Sequence, residues 1–92
     1  MSLEVLEAEL RELLRADALR TALSTNRLDA ISNLLDHGEY GVAVENLCEN
    51  LYDAGTPIGL PWLQALDRIA VTMRLDGHYL KIIRQLQVAA GG

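Results

Sequence analysis

Glu45, Glu49 and Asp53 stand four residues apart within His37 to Gly55, HGEYGVAVENLCENLYDAG, a stretch that contains no Lys or Arg. Carboxylates at i and i+4 of a helix share a face, so together with His37 they could hold a divalent cation or move a proton. The commoner explanation of such a row is a solvated face. Stronger chemical signatures are missing from the chain: there is no Gly-rich phosphate loop, no Cys/His array at zinc spacing and no helical HExxH. Cys48 is the only cysteine. With His37 or His78 as a base it could act as a nucleophile, but its apolar neighbours mark it as a packed thiol. His37 lies at a helix end, where the dipole favours it without further purpose. The sequence therefore predicts no catalytic residue, no metal ligand and no cofactor.

The remaining chemistry is electrostatic. At about 100° per residue, Glu45, Glu49 and Asp53 fall within one narrow sector, while Val44, Leu47, Cys48 and Leu51 fill the adjoining one and Tyr52 borders both. Glu39 and Asp36 extend the row toward its start. Each like-charged pair costs a helix only about 0.2 to 0.5 kcal/mol, and Arg27 or Arg68 from a neighbouring helix could neutralise the row. Composition leaves a solvated face and a docking surface for a basic partner both open. The chain carries 8 basic and 13 acidic residues, a formal charge of -5. Up to Asp53 there are 11 acids against 4 arginines, a net of -7; from Ala54 onward, 2 acids against 4 bases give +2. A binder of nucleic-acid phosphates needs a basic face, so no nucleic-acid ligand is expected.

The elements that must position this row are helical. The 92 residues are 50% hydrophobic and contain no Phe, so one small core has to be assembled from medium-sized aliphatic side chains, which suits helix-on-helix packing. Leu3, Leu6, Leu10, Leu13 and Leu14 predict an amphipathic helix from 2 to about 21, with Ser2 as its cap. The Ser24-Thr25-Asn26 cluster introduces a second helix over roughly 27 to 37, with Asn26 and Asp29 favouring its start and Gly38 its end. A third spans about 40 to 54 and is stopped by Gly55 and Pro57. Gly59 and Pro61 open a fourth. After Asp76-Gly77, the residues Tyr79, Leu80, Ile83 and Leu86 suit a short last helix. The expectation is an all-α single domain over 1–92, a compact bundle of four or five antiparallel helices. No run reaches the ~18 apolar residues of a membrane span and no signal peptide is evident, so the reading is a cytoplasmic protein without a membrane partner.

His37, Glu39, Gly41, Ala43, Glu45, Leu47, Cys48, Leu51 and Tyr52, followed by Pro57-Ile58, resemble the signature of the MafI family of immunity proteins, with a weaker echo at Met73 to Leu75. Gly59 stands where a Ser-like cap would be expected, and Asp53 where Glu is usual. The resemblance implies a non-catalytic bacterial antidote that binds a cognate polymorphic toxin of the MafB kind, often a nuclease with a basic channel. On that implication the toxin-binding residues would be Asp36, His37, Glu39, Tyr40, Glu45, Glu49, Tyr52 and Asp53. Tyr40, Tyr52 or Trp62 would be the buried anchor, and Gly41 would allow close helix packing. Such a protein would act as a monomer or homodimer. The alternative is a helical adaptor that self-associates through apolar surface on its first or last helix.

Overall fold

A computed structural model of the chain describes residues 2–55 and 58–91. Every regular element among them is a helix: α1 (Leu3–Arg15), α2 (Asp17–Ala22), α3 (Thr25–Asp36), α4 (Tyr40–Ala54), α5 (Leu60–Thr72) and α6 (Gly77–Gly91). The radius of gyration, 11.9 Å, is close to the ~12 Å of a compact chain of this length. The all-α, compact expectation is met with six helices where the sequence predicts four or five.

The additional helix comes from a break at Ala16, whose backbone is extended (φ -63°, ψ 137°). Hydrophobic phase explains it. Leu6, Leu10, Leu13 and Leu14 form the buried stripe of α1, and a straight continuation at 100° per residue would carry Leu19 and Leu23 to nearly the opposite side of the helix. Breaking at Ala16 returns both to the core, where they are 0% and 3% exposed. The Ala16 carbonyl accepts from the N–H groups of Leu19 and Arg20, so the break keeps its backbone hydrogen-bonded. The predicted single helix over 2 to 21 is therefore two helices. Its Ser2 cap is present: the Ser2 hydroxyl accepts from the Val5 N–H at 3.3 Å.

At the next junction Ser24, the first residue of the cap-forming cluster, is the cap, its hydroxyl accepting from the Arg27 N–H at 3.3 Å, so the helix starts at Thr25. Helix α3 ends as its glycine predicts. Gly38 takes a left-handed φ of 74°, while the N–H groups of Gly38 and Glu39 return to the carbonyls of Leu35 and Leu34, the paired bonds of a Schellman turn. Helix α5 ends in the same pattern, with Arg74 at φ 56° in the glycine position and Leu75 and Arg74 donating to Ala70 and Val71. Gly55, at φ 64°, ends α4; Pro57, the other predicted stop, lies outside the described residues.

Consecutive helices pack on one another, α3 on α4 and α5 on α6, and α4 also packs on α6; α1 contacts α2, α3 and α5. Helix α4 contributes Ala43, Val44, Leu47, Cys48 and Leu51 to the core, none more than 1% exposed. Gly41 does not enforce a close approach. A methyl group there would meet only the Met73 Cε, at 4.0 Å.

Two substitutions test this account. Leu19→Ala removes the residue for which the chain breaks and should cost about 2 to 5 kcal/mol in urea unfolding. Gly38→Ala should cost about 1 kcal/mol and lower the thermal midpoint by roughly 4 to 8 °C, because the turn demands a left-handed residue.

Candidate functional site

Packing of Val44, Leu47, Cys48 and Leu51 against neighbouring helices fixes the rotation of α4, and the acidic sector must then emerge at the edge of that interface. Glu49 and Asp53 are exposed and Glu45 is half-buried. Among the described residues none of the three forms an ion pair; the bridges present are Arg11–Glu7, Arg11–Asp36 and Arg68–Glu9. Arg68 thus turns to α1, and neither Arg68 nor Arg27 neutralises the row.

The other predicted contact residues divide differently. Asp36 accepts from the Arg11 guanidinium at 2.8 Å, and the same guanidinium reaches Glu7 at 3.4 Å. The Tyr40 hydroxyl donates to Glu7 Oε1 at 3.2 Å, so this half-buried tyrosine joins α4 to α1. His37 is the C-cap of α3, its Nδ1 lying 2.8 Å from the Asn33 carbonyl oxygen. Glu39 is exposed at the N-cap of α4 without a capping side-chain bond. Asp36, His37 and Tyr40 therefore have partners on other helices or at the end of their own, whereas Glu45, Glu49, Tyr52 and Asp53 share a sector of α4 that holds no ion pair, Glu49 accepting only a phenol hydrogen bond.

What the sequence reading missed is the second wall. Helix α6 faces the row, and Glu49, Tyr52 and Asp53 line an open groove of about 410 Å³ with His78, Lys81, Ile82 and Gln85. The Tyr79 hydroxyl donates to Glu49 Oε1 at 3.2 Å, and the His78 ring meets Tyr79 edge to face at 5.1 Å between centroids. Asp76 holds the start of α6, its Oδ1 accepting from the His78 N–H at 2.9 Å. Tyr79 lies on the predicted apolar stripe of the last helix, so nothing in its spacing announces that its hydroxyl ends on a carboxylate. Partial burial, followed by the charges of Glu45 and Glu49, pushes the Tyr79 phenol above its ordinary value. Of the anchor candidates, Tyr52 is 55% exposed at the groove. Trp62 is half-buried elsewhere, beside Glu9, Glu12 and Arg68.

Chemically, the groove offers a negative wall on α4, the Lys81 ammonium on the facing wall of α6, an exposed aromatic and an aliphatic floor at Ile82. Among the described residues no cluster of His, Cys, Asp and Glu is arranged to hold a metal ion. Among the described residues no helix is long and apolar enough to cross a membrane. Cys48 lies beneath the row at 0% exposure, and burial together with Glu49 pushes its thiol up to about 12. A thiolate nucleophile is disfavoured at such a site.

That shift has a testable sign. An unfolded thiol loses its proton near 9.0, whereas the folded one keeps it to about 12. Between those values the native state binds the extra proton, so this contribution is intact below pH 9 and is lost as pH rises toward 12. The raised Tyr79 acts in the same direction. Urea midpoints should fall between pH 8 and pH 10.5, and Cys48→Ala should flatten the fall. No family model, curated protein or solved structure matches the chain.

Proposed function

We propose that the chain is a non-catalytic immunity protein that binds and neutralises a cognate bacterial polymorphic toxin through the acidic face of α4. The observation that carries the reading is the contrast within the predicted row: Asp36 is paired with Arg11, while Glu45, Glu49 and Asp53 have no cationic partner among the described residues. The segment bearing that free row is the one that resembles the MafI signature. Toxins of such systems are often nucleases, and an accessible row of carboxylates can occupy the place of substrate phosphates in a basic channel. Complementary charge can raise association to the order of 10⁸ M⁻¹s⁻¹ at low salt, a useful property in intercepting a lethal enzyme in the cytoplasm. Tyr52, half exposed beside Glu49 and Asp53, supplies the aromatic anchor. His37 and Glu39, at the other end of α4, would extend the contact along the helix, whereas Tyr40 and Asp36 are held by Glu7 and Arg11 and contribute through the fold rather than as free groups.

A second reading, a self-associating helical adaptor, draws on Leu3 and Val5 of α1 and Val88 of α6, which are 65%, 49% and 76% exposed. Sedimentation across a dilution series separates the two. A stable homodimer that covers the α4 row would favour the adaptor.

The decisive experiment is co-expression with the toxin encoded in the adjacent open reading frame. Rescue is expected; continued killing, or the lack of any such toxin, would sink the antidote reading. Replacing Glu45 and Glu49 by Lys should slow association about tenfold or more at low salt and weaken its salt dependence. Asp36→Asn should slow association less than the charge reversals do, because it removes one charge rather than reversing two and lies outside the free sector of α4.

A further inference from the structure

The break at Ala16 has a second consequence. Because α2 turns away from the line of α1, a notch of about 270 Å³ opens where α1, α2 and α3 meet, away from the acidic groove. Arg11 and Arg15 reach it from α1 and Arg20 from α2. Three of the four arginines in the most acidic half of the chain thus line one small concavity.

These guanidiniums are not equivalent. Arg11 is engaged by Asp36 and Glu7. Arg15 and Arg20 are exposed, and among the described residues neither forms an ion pair. The α3 wall adds the hydroxyls of Thr25 and Ser32, with Leu14 and Leu28 as apolar lining. Asp29 is the one carboxylate lining the notch, so its unpaired groups sum to +1 on a chain of -5.

We propose that this notch binds a small phosphomonoester, with the phosphate on Arg15 and Arg20 and the organic group against Leu14 and Leu28. Forked guanidinium donors match the oxygens of a tetrahedral dianion, and the Thr25 hydroxyl at the start of α3 can donate to an oxygen that remains. The start of α3 at Thr25 places the positive end of that helix at the same rim. The volume lies just below the ~300 Å³ at which sites for drug-sized ligands begin, which limits the occupant to a compact molecule. Asp29 opposes the phosphate and keeps the affinity modest. The site is independent of the toxin-binding reading, since its residues lie on α1, α2 and α3 rather than on the free sector of α4.

The test is an NMR titration of the full ¹⁵N-labelled chain with phenyl phosphate, at ionic strength held constant with sodium chloride. Inorganic phosphate, benzoate and a glutamate-rich peptide are run in parallel. Saturable shifts are expected at the amides of Arg15, Arg20, Thr25 and Ser32, with phenyl phosphate binding more tightly than inorganic phosphate and much more tightly than benzoate. The double variant Arg15→Gln/Arg20→Gln should weaken binding at least about tenfold at an unchanged melting temperature. Asp29→Asn should tighten it about threefold, a gain that misfolding cannot imitate. Shifts no larger than those from chloride, equal binding of benzoate, or undiminished binding in the double variant would overturn the proposal. Binding of the peptide without phenyl phosphate would do so too, and would make the notch a protein contact.

Discussion

The structure depends on the burial of one face of α4. Val44, Leu47 and Cys48 are fully enclosed and Ala43 and Leu51 nearly so, with α3 and α6 both packed on the helix. Each large aliphatic residue buried this way contributes about 1.5 to 3 kcal/mol, far more than the few tenths lost by setting like charges one turn apart. The packing therefore fixes the rotation of α4, and the carboxylates take the sector left over. They do not need favourable partners to stay there. The same enclosure removes Cys48 from solvent and raises its thiol, so the one potentially nucleophilic side chain of the segment becomes part of the core.

Charge is then distributed by which helices meet. Arg11, on α1, lies within reach of Glu7 one turn earlier and of Asp36 at the end of α3, so its single positive charge is shared between the two carboxylates. Tyr40 joins the same cluster through Glu7. Further along α4 the opposing helix is α6, which presents a phenol to Glu49 and places Lys81 in the same groove without forming an ion pair. Of a row that is continuous along the sequence, Asp36 is paired with Arg11, while Glu39, Glu45, Glu49 and Asp53 form no ion pair among the described residues. The one pair that remains among the described residues, Arg68 with Glu9 at 3.6 Å, joins an exposed guanidinium to a half-buried carboxylate and turns that positive charge away from the α4 row.

The two turns that close α3 and α5 have the same hydrogen-bond geometry and different residues. Gly38 adopts its left-handed conformation without steric cost, whereas Arg74 adopts it against the preference of a residue with a Cβ. Packing of α6 back on α5 gives the reason Arg74 is held there: the chain has to reverse within the few residues between Thr72 and Gly77, and the turn's two backbone bonds satisfy carbonyls that would otherwise be left open. The Arg74 side chain meets no further constraint, because this position is exposed.

Local pattern alone determined that the chain is helical, that Ser2 caps the first helix, that Gly38 and Gly55 end the third and fourth, and that Cys48 is core. Each of these follows from interactions within four or five residues, which spacing and residue type encode directly. The break at Ala16 was also present in the sequence, as the phase shift between Leu14 and Leu19, but a leucine count that ignores phase merges the two helices. Only the tertiary structure decided that Arg11 would compensate Asp36, that Arg68 would turn to Glu9, and that Tyr79 would end on Glu49. Those pairs join residues 25 to 59 positions apart. Their geometry is set by how whole helices rotate to bury their stripes, and no local periodicity carries that information.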